Sequence, residues 1–349
     1  MTKNNKDIKI SIVICTHNPD MSYLEKLLYC LEKNIILYGE MAEVLLVDNG
    51  SKIPLAGDER LSKWLEATAC ARLLREERLG LSYARARAFS EVRGGIIVCF
   101  DDDNAPDDDY LVQALKAMAS HPWVGIWGPG NISVEWGAES DAGVKRNCAT
   151  DFQQLQLQNI CYELGFPATN NMPYGTGMVL RKSIGLIYAK KVEACLLKTT
   201  GRIGKQLASA EDNQICWLAI QNGWAIGRHP ALRLTHMISG HKAQPDYVAR
   251  LAYGKAKSYH PALREIFPDF FNVRVPRPTK IMIRLIGKTL GCLFGDKTHS
   301  WKYQLARTLG FAVGTWNAYG KAPPYWIRAL VERLYADKSN PALGSCEKY

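Results

Sequence analysis

Short apolar segments alternate with longer segments of helical periodicity over the first 240 residues, and this alternation limits the available folds more than any other feature. Residues 8–15, 43–47 and 96–100 have the length and β-branched composition of buried strands. Residues 23–36 and 82–93 carry apolar side chains three and four positions apart, as an amphipathic helix does. Strands that alternate with helices predict an α/β fold with neighbouring strands in parallel.

The pattern changes further along the chain. Additional strands are predicted at residues 123–127, 177–181 and 232–236, and helices over residues 149–164 and 211–222. From about residue 240 the strand patterns end, and prolines interrupt a helical, basic and aromatic-rich sequence. We therefore expect two regions, an α/β domain at residues 1–238 and a helical C-terminal extension at residues 239–349.

Three consecutive carboxylates, Asp101, Asp102 and Asp103, directly follow the predicted strand at residues 96–100. Like charges this close repel one another unless they share a cation. Mg²⁺ binds one or two carboxylates together with phosphate oxygens of a substrate, so the run predicts a Mn²⁺ or Mg²⁺ site that holds a diphosphate. A solvated acidic loop is the alternative, and it is the better explanation for the acids at residues 107–109, which precede a predicted helix.

A second group of residues suits a nucleotide. Thr16 and Asp48 end two predicted neighbouring strands, and Asn18 lies two residues beyond Thr16. An Asp there can accept a hydrogen bond from a uracil-like ring, and Arg85 or Arg87 in the following helix can reach phosphate. The Asn-Gly pair after Asp48 is also a common turn, so a structural role remains open. Neither a dinucleotide-binding glycine motif nor a P-loop is present.

Candidates for acid–base chemistry lie later in the chain. Glu211 and Asp212 open a predicted helix, where a carboxylate can take the proton of an acceptor hydroxyl, although acids also favour helix N-termini. His236 ends a strand-like segment and is either a third metal ligand or a structural residue. Residues 174–177, YGTG, form a turn that permits close approach of a ligand to the backbone, or an ordinary β-turn.

These motifs, in this order, resemble the inverting family 2 glycosyltransferases of GT-A fold over roughly residues 8–238. The resemblance rests on SIVICTHNPD, VLLVDNGS, RLGLSYARARA, FDDDN, YGTGMVLRKS and AED. It implies a Rossmann-like mixed sheet flanked by helices and a nucleotide-sugar donor. By the same resemblance, Asp102 contacts the donor ribose and the metal, Asp103 ligates the metal, and Asp212 is the catalytic base, with Glu211 as the next candidate.

The implied reaction moves one sugar from a nucleotide diphosphate, UDP above all, to a hydroxyl of a glycan or lipid-linked acceptor. Two departures qualify it: the family more often has Asn close after the Arg of the third motif, where this chain has Ala86 and Arg87, and the Q-x-x-R-W motif of processive members is absent. The absence favours single-sugar transfer. A sugar-1-phosphate nucleotidyltransferase is the enzymatic alternative, but it should carry a Gly-rich basic loop where this chain has THNPD.

The C-terminal region is strongly basic: residues 239–349 carry 18 Lys and Arg against 7 Asp and Glu, whereas residues 1–238 carry 26 against 27. This asymmetry indicates an anionic partner. A nucleic-acid-binding module is the non-enzymatic alternative, but the chain has no RNP-like or zinc-finger pattern, so no nucleic acid is expected.

Within this region, Lys280, Arg284 and Lys288 recur every four residues among apolar side chains. The spacing predicts that residues 279–316 bind an anionic membrane surface reversibly. The alternative is that they pack on the catalytic domain or on a second copy of the chain, as in a homo-oligomer. The scattered cysteines, the polar start and the lack of a long apolar run favour a cytoplasmic protein, peripheral at the inner face of the membrane.

Overall fold

The computed structural model describes residues 8–38, 41–165, 171–199, 201, 207–294 and 301–335, with backbone alone at 37–38, 289–294 and 335. Ten strands of this part form one sheet. They are β1 (Ile10–Thr16), β2 (Ala42–Asp48), β3 (Ala71–Arg75), β4 (Ile96–Asp101), β5 (Asn104–Pro106), β6 (Val124–Trp136), β7 (Leu155–Gln156), β8 (Cys161–Glu163), β9 (Met178–Arg181) and β10 (Ala225–Ile238).

The sheet has the order β3-β2-β1-β4-β9-β6-β10-β5, with β7 beside β6 and β8 beside β10. The first four strands in this order run parallel, as the sequence predicts. β9 then pairs antiparallel with both β4 and β6, while β6 and β10 run parallel. The sheet is therefore mixed, and the α/β fold with a mixed sheet is confirmed.

The described helices cover both faces of the sheet and then extend beyond it. They are α1 (Met21–Tyr38), α2 (Glu59–Ala67), α3 (Leu81–Glu91), α4 (Tyr110–Ser120), α5 (Ala142–Asn147), α6 (Lys182–Glu193), α7 (Glu211–Gln221), α8 (Pro245–Ile266), α9 (Pro278–Phe294), α10 (Trp301–Ala318) and α11 (Tyr325–Tyr335). Apolar side chains of α1, α2 and α4 form the core on one face, and those of α3, α6 and α7 form the core on the other. Two helical layers thus bury the central strands from both sides.

The helix predicted over residues 149–164 is wrong. Residues Ala149–Phe152 form a single 3₁₀ turn, Gln153 has a φ of 70°, and β7 and β8 follow. The segment QLQLQ alternates polar and apolar residues, which is the period of a strand, and pairing with β6 and β10 fixes that conformation. The strand predicted at residues 123–127 also continues, to Trp136.

The C-terminal helices pack against the α/β domain. Ala262 and Ile266 of α8 belong to the same core as α3, α6 and α7. α10 lies close against α8 because Gly310 and Gly314 face it: a Cβ on Gly314 would lie 2.4 Å from the carbonyl oxygen of Lys257. α9 and α11 pack in turn on α10. None of the described helices is both long and apolar enough to cross a bilayer. Residues 295–300 and 336–349 of the predicted C-terminal region lie outside the described residues.

Candidate active site

Strand register brings the predicted site residues to one edge of the sheet. Thr16 pairs with Asp48 across β1 and β2, and Cys15 pairs with Asp101 across β1 and β4, so these carboxyl ends are level. On the far side, antiparallel pairing of β10 with β5 sets His236 opposite Asn104, the residue after Asp103 in the chain. The sheet thus places His236 beside the acidic run.

Asp103 lies at the centre of a buried charge cluster. Its Oδ2 is 2.9 Å from the ammonium of Lys242, and its Oδ1 is 3.3 Å from Nε2 of His236. Burial by itself raises the pKa of Asp103, but attraction to His236 and Lys242 outweighs it and holds that pKa well below its usual range. The reciprocal attraction raises the pKa of His236 against the opposing effect of burial. Asp103 is therefore ionised.

A second contact fixes the orientation of the His236 ring. The Nδ1 of His236 lies 3.0 Å from the carbonyl oxygen of Phe152, an acceptor, so Nδ1 carries the proton and Nε2 points toward Asp103. Such an outer hydrogen bond orients metal-binding imidazoles. Among the described residues, no three or more His, Cys, Asp or Glu side chains cluster in a way that could hold a metal. Two protein ligands fit a divalent ion whose remaining ligands come from water and substrate phosphate.

The other two carboxylates of the run have different partners. The hydroxyl of Thr16 donates a hydrogen bond to Asp102. Burial, followed by the charge of the next carboxylate in the chain, raises the pKa of Asp102 to about 6. Asp101 accepts a hydrogen bond of 2.8 Å from the hydroxyl of Thr176. The Thr of the YGTG turn thus fixes Asp101, so that the three side chains do not converge on one point.

Arg85 is buried beneath this edge. Its guanidinium lies 3.7 Å from Asp101 and 3.7 Å from Glu211, and it is 3% exposed. Gly175 makes room for it, since a Cβ there would lie 2.6 Å from Nη2 of Arg85. Arg87, by contrast, is exposed and pairs with Glu91 at 2.7 Å. Both arginines therefore form ion pairs with carboxylates of the protein itself. Their contact with donor phosphate stays a prediction.

The two candidates for the catalytic base differ in exposure. Glu211 is 4% exposed and accepts a hydrogen bond from the Ala210 amide, and its pKa is raised by burial and then by the charge of Asp212. Asp212 is only partly buried and lines a cavity of about 430 Å³ together with Asp103 and His236. Of the two, Asp212 is the carboxylate that a substrate in this cavity can reach.

The residues predicted to bind the nucleotide base shape a loop. Asp48 accepts hydrogen bonds from the backbone amides of Ser51 at 2.9 Å and Leu55 at 3.1 Å, and from Arg75 at 2.7 Å. Asn18 has a φ of 49°; its backbone amide donates to the Ser51 hydroxyl at 2.9 Å, and its side-chain Oδ1 accepts from the Lys52 amide at 2.9 Å. Both side chains hold the loop after β2 at the edge of the site, and their contact with a base stays a prediction.

Sequence reasoning missed Lys242 and the carbonyl of Phe152. Lys242 lies in the loop after β10, in the segment SGHKAQP, which has no motif. The only signal was its position six residues after His236. Phe152 could not be found, because it fell within a segment predicted to be a helix.

A family model and several solved structures are similar to this chain. Residues 11–160 match the model described as glycosyl transferase family 2. The structure of TarS from S. aureus is 14% identical with a TM-score of 0.50, and the match covers 92% of this chain and 50% of that one. This chain therefore spans about half the length of that TarS chain. No match is found among curated proteins.

Two further structures were obtained with ligands. TarS residues 1–349 from S. aureus in complex with UDP-GlcNAc is 13% identical with a TM-score of 0.46, covering 90% of this chain and 92% of that one. The mannosyltransferase PcManGT from Pyrobaculum calidifontis in complex with GDP-Man and Mn²⁺ is 17% identical with a TM-score of 0.49, covering 97% and 82%. The sequence motifs, the mixed sheet and the family model agree: the chain has a GT-A fold, and its residues 11–160 match the model of glycosyl transferase family 2.

Proposed function

We propose that the protein is a metal-dependent inverting glycosyltransferase that moves one sugar from a nucleotide diphosphate, UDP above all, to an acceptor hydroxyl. The observation that carries this proposal is that Asp103, His236 and Asp212 line the same cavity, of about 430 Å³. Two metal-binding groups and a reachable carboxylate then face the same space, as transfer from a diphosphate to a hydroxyl requires.

In the proposed reaction, Asp212 accepts the proton of the acceptor hydroxyl. The acceptor oxygen attacks the anomeric carbon from the face opposite the diphosphate. The bond between that carbon and the diphosphate oxygen breaks, and the nucleoside diphosphate leaves with the bonding electrons. A single displacement of this kind inverts the configuration at the anomeric carbon. Glu211, buried against Arg85, stays the second candidate for the base.

Asp103 and His236 would hold Mn²⁺ or Mg²⁺, with Asp102 beside them at the donor ribose. The bound ion would neutralise the charge that develops on the departing diphosphate. Lys242, 2.9 Å from Asp103, adds a protein cation on the same side of the cavity. Asp101, held by its hydrogen bond from Thr176, would lie next to this group. At the adjacent ends of β1 and β2, the nucleotide would contact Thr16, Asn18 and Asp48.

The acceptor in this proposal is a glycan or a lipid-linked glycan of polysaccharide or glycoconjugate synthesis. In this proposal α9 holds the protein at an anionic membrane surface. For a cytoplasmic protein, that surface is the inner face of the membrane. The exposed side chains of α9 include both charged and apolar residues: Lys280, Arg284, Lys288, Met282, Ile283 and Ile286. Flotation with acidic vesicles at low salt tests this. Failure to float would favour the alternative, contact of this face with a second copy of the chain.

A thermal-shift panel tests the proposed activity. UDP, GDP, CDP and their sugar conjugates would each be added with and without Mn²⁺, because a ligand of the native state raises the melting temperature. We expect the largest shift with UDP or a UDP-sugar, and only with metal. If no nucleotide or nucleotide sugar shifts the melting temperature under either condition, the proposed function is wrong.

A further inference from the structure

A second, larger cavity lies in the C-terminal region, outside the site described above. It has a volume of about 830 Å³ and lies between the end of α8, the segment at residues 271–277, α9 and α10. Four basic side chains line it: Arg274, Arg284, Lys288 and Arg307. No Asp or Glu is found among its lining residues in the described part of the chain.

These four cations are exposed to solvent. None of them forms an ion pair with a carboxylate among the residues that the structure describes. In the α/β domain, by contrast, Arg78 pairs with both Glu76 and Glu193. Four like charges around one cavity make it electropositive, and an anion is the complementary ligand. Guanidinium groups bind phosphate oxygens with particular geometric fit. The charges therefore favour a phosphate group as the ligand.

The remaining wall of the cavity is largely apolar. Val273, Pro276, Ile281, Phe311 and Ala312 contribute to it. Phosphate alone gains nothing from such a surface, whereas a phosphate that carries a hydrocarbon chain buries that chain against it. α9, which forms part of the wall, also exposes Met282, Ile283 and Ile286 to the outside. The lining thus matches an amphipathic phosphate.

The cavity adjoins the proposed active site. Arg307 and Phe311 of α10 line both this cavity and the one that contains Asp212 and Asp103. A ligand anchored at the basic wall can therefore extend past Phe311 toward the catalytic carboxylate. Nothing in the family match covers this region, since that match ends at residue 160.

We propose that this cavity holds the phosphate and adjoining apolar chain of a lipid-linked acceptor, whose sugar hydroxyl then reaches Asp212. This inference rests on the proposed function and assigns its acceptor class. Arg274, Arg284, Lys288 and Arg307 hold the phosphate, and the apolar wall holds the start of the chain. The inference narrows the acceptor from any glycan to one attached to a lipid phosphate.

Calorimetric titration of the full chain with decyl phosphate, below its micelle concentration, tests the inference without a membrane. We expect decyl phosphate to bind at least tenfold more tightly than inorganic phosphate, and at least tenfold more tightly than the uncharged decyl maltoside. Equal binding of inorganic phosphate would overturn the lipid assignment. Equal binding of decyl maltoside would overturn the phosphate assignment.

Variants locate the binding. The double variant Arg284→Ala/Lys288→Ala should weaken binding of decyl phosphate at least tenfold, and Arg274→Ala, in the segment at residues 271–277, should weaken it independently. Lys280→Ala is the matched control, because Lys280 is exposed on the same helix but does not line the cavity. Unchanged affinity in both cavity variants, or equal loss in Lys280→Ala, would overturn the inference.

Titration of the same samples with UDP and Mn²⁺ separates this inference from the proposed function. If UDP binds and decyl phosphate does not, only the acceptor site is wrong. If decyl phosphate binds at this cavity and no nucleotide binds, the cavity is a lipid-phosphate site but not an acceptor site, and the inference as stated fails together with the proposed function.

Discussion

Replacement of Arg85 distinguishes its two candidate roles, a contact with donor phosphate and a link inside the protein. Arg85 is 3% exposed and lies 3.7 Å from both Asp101 and Glu211. Removal of one partner from a buried ion pair leaves the other charge uncompensated, which costs roughly 3–5 kcal/mol. The distances from Arg85 to both carboxylates exceed hydrogen-bond length, so each pair is weak. The pKa of Glu211 is also raised by burial and by Asp212, so Glu211 can take up a proton when Arg85 is removed. We therefore expect Arg85→Met to lose about 3 kcal/mol, the lower end of that range.

The assay combines urea unfolding with UDP titration in the presence of Mn²⁺. Arg87→Met is the matched control, since Arg87 is exposed on the same helix and its i,i+4 pair with Glu91 contributes only about 0.3–0.5 kcal/mol. In the double variant Arg85→Met/Glu211→Gln, both charges are gone and part of the lost stability should return. Native Arg85→Met protein should bind UDP with an affinity close to that of the parent.

One result would refute this reasoning. If Arg85→Met unfolds at the same urea concentration as the parent but binds UDP far more weakly, Arg85 contacts the donor and does not serve as a buried link.

Two further changes test the packing and the metal pair. Gly314→Ala should destabilise the protein by about 1–3 kcal/mol, the usual cost of overpacking, because its Cβ would lie 2.4 Å from the carbonyl oxygen of Lys257. Gly287→Ala, with no atom within 4 Å of its Cβ, should be neutral or gain up to about 1 kcal/mol in helix propensity; equal urea midpoints for the two variants would contradict the close approach of α10 to α8. Asp103→Ala should abolish Mn²⁺-dependent binding of nucleoside diphosphate, measured by calorimetry. If the variant binds the diphosphate with the same dependence on Mn²⁺ as the parent, Asp103 is not a ligand of the metal.

Local sequence patterns were enough to predict the first half of the sheet. β1, β2 and β4 are buried on both faces, so each is a nearly continuous apolar run that is visible without knowledge of its neighbours. The helix prediction for residues 149–164 failed because the strands there are two and three residues long and form only through pairing with β6 and β10. For strands this short, long-range pairing decides the conformation, and the local pattern alone does not.

For the site, sequence position predicted which residues meet at the sheet edge but not how deeply each is buried. Asp103 and His236 were both proposed as metal ligands, and strand pairing brings them within 3.3 Å. Asp48 and Arg85 occupy the predicted strand end and helix, but both are almost fully buried. Lys242 reaches Asp103 through the conformation of a loop, which no local pattern specifies.

The basic stripe of α9 shows a similar limit. Helical spacing correctly groups Lys280, Arg284 and Lys288 along one helix, yet only the last two line the cavity. The period of a helix determines which side chains share a direction. It does not determine what lies opposite them, because that depends on how α10 and the segment at residues 271–277 pack.

The most direct test of the central claim is the turnover of a UDP-sugar by Asp212→Asn, with donor affinity measured on the same sample. Asp212 is a partly buried carboxylate that lines the same cavity as Asp103, His236 and Asp151, and it is the one that opens α7. Loss of a positioned general base lowers turnover by about 100- to 10,000-fold, and donor affinity should stay close to that of the parent. Turnover equal to that of the parent protein would contradict the assignment of Asp212 as the base and, with it, the proposed arrangement of the site.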